Sequence, residues 1–170
     1  FSPHRERKAG VVSRALKPQR RGNMSTREPS LTFGIEEEYH LVDLETRDLG
    51  QHSPELMAAL ERELGEQVSP EFLRSQIEVA TKPLRTFAEA RDELSRLRAT
   101  VRRFASQHGL APIASATHPF SRLDRTVTTD RERYRMLAED LAGAGRRLAV
   151  CGMHVHVAIE DDETRIDVRS

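Results

Sequence analysis

Glutamate and histidine residues at alternate positions are the clearest candidates for chemistry in this 170-residue chain. Glu36 and Glu38 form one i, i+2 pair, and His154 and His156 form another. On a β-strand this spacing puts both side chains on the same face, roughly 6–7 Å apart at ~3.3 Å per residue. Glu78 has a similar polar setting on a third predicted strand. Because carboxylates that converge on one face repel each other, the pattern predicts a hard cation such as Mg²⁺ between them.

Each of these features also has a simpler interpretation. Paired glutamates on a strand are most often a solvated face, and a His-x-His pair fits an exposed edge strand. Taken alone, Glu78 indicates almost nothing. His118 precedes Pro119 and is interpreted as a turn residue, and Cys151 is interpreted as a small core residue. A shared metal site therefore requires that the three predicted strands direct these side chains toward one place.

Period-two alternation predicts the strands that carry these residues. Apolar residues occupy most odd positions of Leu31–Asp43, which predicts a half-buried strand, although Glu37 interrupts its apolar face. Phe72–Thr81 alternates in the same way. Two further strands are predicted, a short one at Leu110–Ala116 and a last one, with the two histidines, at Leu148–Ile159.

Helix-start signals separate the predicted strands. Ser53-Pro54 predicts a helix that ends at Gly65, and the capping box Thr86-x-x-Glu89 begins a long second helix. Another capping box, Thr129-x-x-Glu132, predicts a helix that runs to about Ala142. The order of the elements and the one-sided strands predict an α+β fold, in which an antiparallel or mixed sheet carries helices on one face.

Charge and composition limit the classes of partner. Residues 1–23 contain seven Lys/Arg and one acid, which leaves 20 basic and 26 acidic residues in 24–170. An acidic body argues against a nucleic-acid-binding surface. No apolar run approaches the roughly 18 residues that span a bilayer, so a soluble protein with no membrane partner is expected. The single cysteine is compatible with a reducing cytosol, and a cytoplasmic location is expected.

Residues 1–30 have no sustained apolar period and contain scattered prolines and bases. They are predicted to form a disordered basic N-terminal extension, with ordered structure from Leu31 onward. Met24 followed by Ser25 resembles a natural start. The first 23 residues are therefore interpreted as translated upstream sequence rather than as a targeting signal.

Five motifs resemble those of the type 2 glutamate–cysteine ligase family, also called carboxylate–amine ligases. The opening motif is Phe33–Tyr39, FGIEEEY, and the second is Ser75–Thr81, SQIEVAT. The remaining motifs follow in the expected order at Thr117–Phe120 (THPF), Arg133-Tyr134 and Cys151–Val157 (CGMHVHV). The resemblance extends from about residue 32 to residue 168, and the Gly-Met-His-x-His part also resembles a glutamine synthetase motif.

The resemblance implies a glutamine synthetase/guanido kinase-like catalytic fold. Residues 31–170 would be the N-terminal part of the ligase catalytic domain, and because family members are longer, the fold and the site are expected to be incomplete. The implied Mg²⁺ ligands are Glu36, Glu38, Glu78 and His154. The implied contacts to ATP, glutamate or other anions are His156, Arg74 and Arg133.

The implied reaction joins the γ-carboxylate of glutamate to the amine of cysteine. ATP would phosphorylate the carboxylate, and the amine would displace phosphate from the acyl phosphate, with Mg²⁺ as cofactor. The expected partners are therefore ATP, L-glutamate and L-cysteine or another amine, and a homodimer is one arrangement left open. Two alternatives also stay open: another phosphoryl-transfer enzyme of the glutamine synthetase type, and a non-catalytic metal-binding or regulatory domain.

Overall fold

The computed structural model describes residues 31–121, 126–130, 132, 134 and 149–160. Five strands and two α-helices have defined bounds in these ranges. The strands are β1 (Phe33–Asp43), β2 (Val68–Pro70), β3 (Gln76–Ala80), β4 (Leu110–Ile113) and β5 (Met153–Val157). The helices are α1 (Pro54–Leu64) and α2 (Phe87–Ser106), and a 3₁₀ turn at Gly65–Gln67 follows α1.

Strand β1 is the centre of the sheet. It pairs with β3 on one edge, and β2 lies outside β3. The other edge of β1 is shared, because β5 pairs with its N-terminal half and β4 with its C-terminal half. All four pairings are antiparallel. The predicted α+β fold is confirmed at this level, with an antiparallel sheet and two helices.

Both described helices begin where their capping residues predict. Ser53 Oγ accepts from Leu56 N at 3.2 Å with Pro54 in the first turn, and Gly65 follows the last helical residue with φ +60°. At the start of α2, Thr86 Oγ1 accepts from Glu89 N, and the Glu89 carboxylate accepts from the backbone of Thr86. No described helix combines the length and apolarity that crossing a bilayer requires.

The core lies between the helices and one face of the sheet. The odd-numbered residues of β1, such as Tyr39 and Leu41, pack with Ile77 and Val79 of β3. Buried leucines of α1 and α2 cover this face, including Leu56, Leu60 and Leu97. Because strand side chains alternate, the even-numbered residues of β1 point to the opposite face.

Glu37 interrupts the apolar face of β1 because Arg98 of α2 and Tyr39 of β1 bind its carboxylate. Its carboxylate is almost fully buried and forms a two-pronged ion pair with the Arg98 guanidinium of α2, and the Tyr39 hydroxyl donates to it. Burial alone raises the pKa of Glu37, but these hydrogen bonds bring it below its usual value. Glu37 thus links α2 to β1. This contact explains why a charged residue stands at a position that the alternation assigned to the apolar face.

Several predicted element bounds are wrong. Strand β3 covers Gln76–Ala80 rather than Phe72–Thr81, because residues 74–75 form a turn and Leu73 makes an isolated bridge with Thr128. Leu73 consequently packs with Phe72, Tyr134 and Ala149 and not with the β3 core. The edge strand β2 was missed, since three residues ending in proline carry no alternation signal. Strands β1, β4 and β5 are also shorter than predicted. Their predicted ranges were, in the same order, Leu31–Asp43, Leu110–Ala116 and Leu148–Ile159.

Two predicted segments lie wholly or mostly outside the described residues. The predicted disordered extension at residues 1–30 is one of them. The predicted helix to about Ala142 is the other, since only residues 132 and 134 of it are described, and both are helical.

Candidate functional site

Sheet register brings the five predicted metal-type residues onto one face. Glu38 pairs directly with Glu78 across β1 and β3, and Glu36 pairs with His154 across β1 and β5. His156, two residues after His154, lies on the same side. Directly paired residues of antiparallel strands share a face. This is the face opposite the helix-packed core, so the alternation assigned these side chains to the correct side of their strands.

One group of contacts is centred on Glu36. Its Oε2 atom lies 2.9 Å from Nε2 of His156 and 3.6 Å from Nδ1 of His154, and the two imidazole rings are 6.3 Å apart. About two thirds of each histidine side chain is exposed. Such exposed contacts contribute little to the free energy of folding.

A second group consists of three carboxylates. Ligand oxygens of Glu38, Glu71 and Glu78 all lie within 4.8 Å of one another. The pKa of Glu78 is raised, first by burial and then by the charges of Glu71 and Glu36, while the Ser69 hydroxyl at 3.2 Å opposes this shift. Glu71 was missed from the sequence because it lies in the connection between β2 and β3, where no alternation marks it.

Backbone contacts hold Glu38 in place. Gly152 N donates to Glu38 Oε2 at 2.9 Å, and Glu38 N donates to the Gly152 carbonyl at 3.0 Å. The segment before β5 therefore fixes both the main chain and the carboxylate of this residue. A rigid carboxylate next to two others is a fitting arrangement for a cation ligand.

The donor set fits a hard divalent cation. Four carboxylates and two imidazoles meet on one face, and carboxylate oxygens are the ligands that Mg²⁺ prefers. A bound cation would relieve the repulsion that raises the pKa of Glu78. The members are Glu36, Glu38, Glu71, Glu78, His154 and His156.

Arg74, one of the two predicted anion contacts, is engaged outside these groups. The Arg74 guanidinium donates to the His52 carbonyl, at 2.8 Å from Nη2 and 3.3 Å from Nε, in the turn that precedes β3. The pKa of His52 is lowered, by burial and then by Arg74. Arg74 as a substrate contact stays a prediction, and Arg133 lies outside the described residues.

Buried polar residues lie behind the carboxylates. His40 continues the Glu36–Glu38 row, is fully buried, and neither of its ring nitrogens has a hydrogen-bond partner of good geometry within the described part of the chain. The Gln76 amide, opposite His40, donates to the Val150 carbonyl at 3.0 Å and to Cys151 Sγ at 3.3 Å. Cys151 is buried, as predicted, and burial raises the pKa of its thiol to about 11. This thiol is not a nucleophile at neutral pH.

Two bacterial relatives are similar to this chain in sequence. A protein from Paracoccus denitrificans named "Putative glutamate–cysteine ligase 2" is 48% identical over 143 residues, and one of the same name from Rhodospirillum rubrum is 50% identical over 147 residues. Each alignment covers 84% of this chain but 38% of the relative. The chain thus spans little more than a third of the length of these relatives.

Two solved structures have a similar fold at low sequence identity. A glutamate–cysteine ligase from Francisella tularensis, in complex with AMP, matches with a TM-score of 0.63 and 18% identity over 84% of this chain and 30% of its own. A bifunctional glutathione synthetase from Pasteurella multocida matches with a TM-score of 0.59 and 19% identity over 82% and 18%. The family model described as glutamate–cysteine ligase family 2 matches residues 32–169. The chain belongs to glutamate–cysteine ligase family 2.

Proposed function

We propose that this chain is part of an ATP-dependent carboxylate–amine ligase that joins the γ-carboxylate of glutamate to the amine of cysteine. The observation that carries the proposal is the convergence of four carboxylates and two imidazoles on one face of the sheet, in a member of this ligase family. Residues 31–170 would be the N-terminal part of a glutamine synthetase-like catalytic domain. Nucleotide use is also suggested by the AMP that the Francisella tularensis protein binds.

Some of these side chains would bind the cation, and others would contact the substrates. Glu36, Glu38, Glu78 and His154 would hold Mg²⁺, and Glu71 completes the carboxylate group. Bound there, Mg²⁺ would neutralise phosphate charge and orient the phosphoryl group in line with its acceptor.

Three further residues would face the substrates. His156, which shares Glu36 with His154, would contact ATP or glutamate. Arg74 and Arg133 are proposed as anion contacts, and Arg74 would have to leave the His52 carbonyl to fill that role.

The reaction would proceed through an acyl phosphate. Transfer of the γ-phosphoryl group activates the glutamate carboxylate, and attack of the amine then forms the amide and releases phosphate. Such a reaction depends mainly on positioning and on electrostatic stabilisation of the phosphoryl group. A fixed row of carboxylates suits this task, because the cations they hold would meet the phosphate oxygens in one orientation.

Phosphate release tests this proposal in a protein extended to the full length of the relatives. We expect phosphate release from ATP with Mg²⁺ only when glutamate and an amine are both present. Glu38→Gln should abolish the release, because the substitution removes a negative charge from the group of three carboxylates. It also replaces the carboxylate that accepts from Gly152 N by a neutral amide. Glu45→Gln, in the exposed turn after β1, is the matched control and should leave the rate unchanged. Phosphate release that does not depend on glutamate would refute the proposal.

A non-catalytic metal-binding domain is the second candidate, favoured by the ligand oxygens of Glu38, Glu71 and Glu78 that lie within 4.8 Å of one another. Mn²⁺, as a spectroscopic substitute for Mg²⁺, distinguishes the two functions. If the extended protein binds Mn²⁺ through Glu38 but forms no amide with any amine supplied, the binding function is the correct one.

A further inference from the structure

Strand β5 carries the two histidines but has no buried face among the residues that the structure describes. All five of its residues, Met153–Val157, are exposed. A slip of one residue against β1 would turn every side chain of β5 to the opposite face, and His154 and His156 would leave the carboxylate face. Since burial of apolar side chains does not select the register of this strand, other contacts must fix it.

The segment at residues 150–152, directly before β5, makes such contacts. Cys151 N donates to the Ala116 carbonyl at 2.9 Å. Gly152 N donates to Glu38 Oε2 at 2.9 Å, and Glu38 N donates to the Gly152 carbonyl at 3.0 Å. The Val150 carbonyl accepts from a side chain of β3. The chain therefore enters β5 at a fixed point beside Glu38.

Gln76 is the β3 side chain that binds this segment. It is 3% exposed, lies opposite His40 and precedes Glu78 by two residues on the same face. Its Nε2 atom donates to the Val150 carbonyl at 3.0 Å and to Cys151 Sγ at 3.3 Å. A buried amide that lost these acceptors would carry an uncompensated desolvation cost. The two contacts therefore favour one position of the segment over a shifted one.

We propose that Gln76 is a positioning residue that sets the register of β5 and so holds Glu38 and His154 as cation ligands. The inference rests on the cation site of the proposed function. Gln76 fixes the segment, Gly152 then orients the Glu38 carboxylate, and β5 starts so that His154 lies opposite Glu36. One buried amide thus links the group of three carboxylates to the two histidines, without itself contacting cation or substrate.

Gln76→Met tests this role because the new side chain has a similar length but no donor. Loss of a group that orients metal ligands weakens metal binding by about 10–100-fold, so we expect this loss of Mn²⁺ affinity in the 170-residue chain, measured by titration calorimetry. Ile77→Val is the matched control. Ile77 is the next residue of β3 and packs in the core on the other face, so this variant should lose stability but keep its Mn²⁺ affinity.

Gln76→Asn guards against misfolding of the first variant. It keeps the amide on a side chain one methylene shorter, which does not reach the Val150 carbonyl, and it should lose Mn²⁺ affinity as well. Full affinity in either folded Gln76 variant would overturn the proposal. An equal loss in Ile77→Val would also overturn it, because the effect would then follow stability alone. An unmutated chain that binds no Mn²⁺ would refute the cation site on which the inference depends.

Proton NMR of the 170-residue chain measures the register without metal or turnover. The Gly152 amide proton should lie downfield, because it donates to a carboxylate. Cross-strand contacts should join Ile35 to Val155, which are paired in this register. Gln76→Met should move the Gly152 signal upfield and weaken these contacts, whereas Ile77→Val should leave both in place. Contacts of another register in the unmutated chain would contradict the proposal.

The Mg²⁺ dependence of turnover separates this inference from the ligase function. In the protein extended to the length of its relatives, Gln76→Met should raise the Mg²⁺ concentration for half-maximal phosphate release by about 10–100-fold. At saturating Mg²⁺, kcat should stay within about threefold, because the substitution acts through the cation ligands. A fall in kcat with unchanged Mg²⁺ dependence would overturn the role of Gln76. Absence of phosphate release from the unmutated protein would refute the ligase function, while the Mn²⁺ affinities would still decide the role of Gln76.

Discussion

Single residues show how far side-chain chemistry could be predicted. Glu36, Glu38 and Glu78 were assigned to the correct face because strand alternation is a local property. Glu71 was not, since only the fold of the connection between β2 and β3 brings its carboxylate close to Glu38 and Glu78. Tertiary contacts of loop residues leave no periodic signal.

Glu71→Gln tests the carboxylate group at this scale. Replacing one of the three carboxylates whose oxygens lie within 4.8 Å of one another by a neutral amide should weaken Mn²⁺ binding, by on the order of tenfold or more. Titration calorimetry with Mn²⁺ measures the effect. The exposed Glu66→Gln of the 3₁₀ turn serves as the control. Equal affinities of the Glu71→Gln and unmutated proteins would remove Glu71 from the site.

The Glu37–Arg98 pair makes a prediction about stability and pH. Glu37→Gln should lower the free energy of unfolding at pH 7 by ~1–3 kcal/mol, because it weakens a charge-assisted pair whose carboxylate is buried and whose guanidinium is half-exposed. The folded-state pKa of Glu37 lies below its unfolded value, so its stabilisation is present above about pH 4.5 and is lost as the pH falls. Urea unfolding at pH 7 and below pH 4 should therefore show a smaller difference between the two proteins at the lower pH. A difference independent of pH would argue against this ion pair.

At the scale of elements, local signals predicted helix starts better than strand bounds. Capping boxes and Ser-Pro located both described helices because their hydrogen bonds involve neighbouring residues. Strand ends depend on where a partner stops, so Phe72–Thr81 was predicted too long. The pairing of β4 and β5 along one edge of β1 could not be predicted, since it is set by tertiary contacts.

Thr86→Ala measures the contribution of the cap of α2. The hydroxyl accepts from Glu89 N at 3.2 Å, so its loss should lower the free energy of unfolding by ~1 kcal/mol. Ser95→Ala, on the exposed middle of the same helix, is the control and should be neutral or slightly stabilising. Urea unfolding compares the two. If both variants are equally stable, Thr86 is not an effective cap.

At the scale of the whole molecule, the sheet presents uncovered apolar surface. Met153, Val155 and Val157 of β5 are each more than half exposed, although alternation predicted one apolar face. Val155 and Val157 border a groove of about 390 Å³ that Phe33 and Phe87 also line. Contiguous exposed apolar residues along a strand favour association between chains.

Self-association of the 170-residue chain is therefore expected and should be reduced by Val155→Lys. A charge in the middle of β5 opposes contact between apolar faces. Sedimentation velocity across a concentration series measures the effect, with Leu44→Lys as a control at another exposed apolar position. An unmutated chain that stays monomeric at all concentrations would contradict this expectation.

The most direct measurement follows oxygen from glutamate to phosphate. The extended protein would be supplied with ATP, Mg²⁺, cysteine and glutamate labelled with ¹⁸O in the γ-carboxylate. If the carboxylate is phosphorylated before the amine attacks, each phosphate released carries one ¹⁸O, and Glu38→Gln releases none. Unlabelled phosphate formed together with amide would contradict an acyl phosphate, and with it the ligase reaction proposed for the carboxylate face.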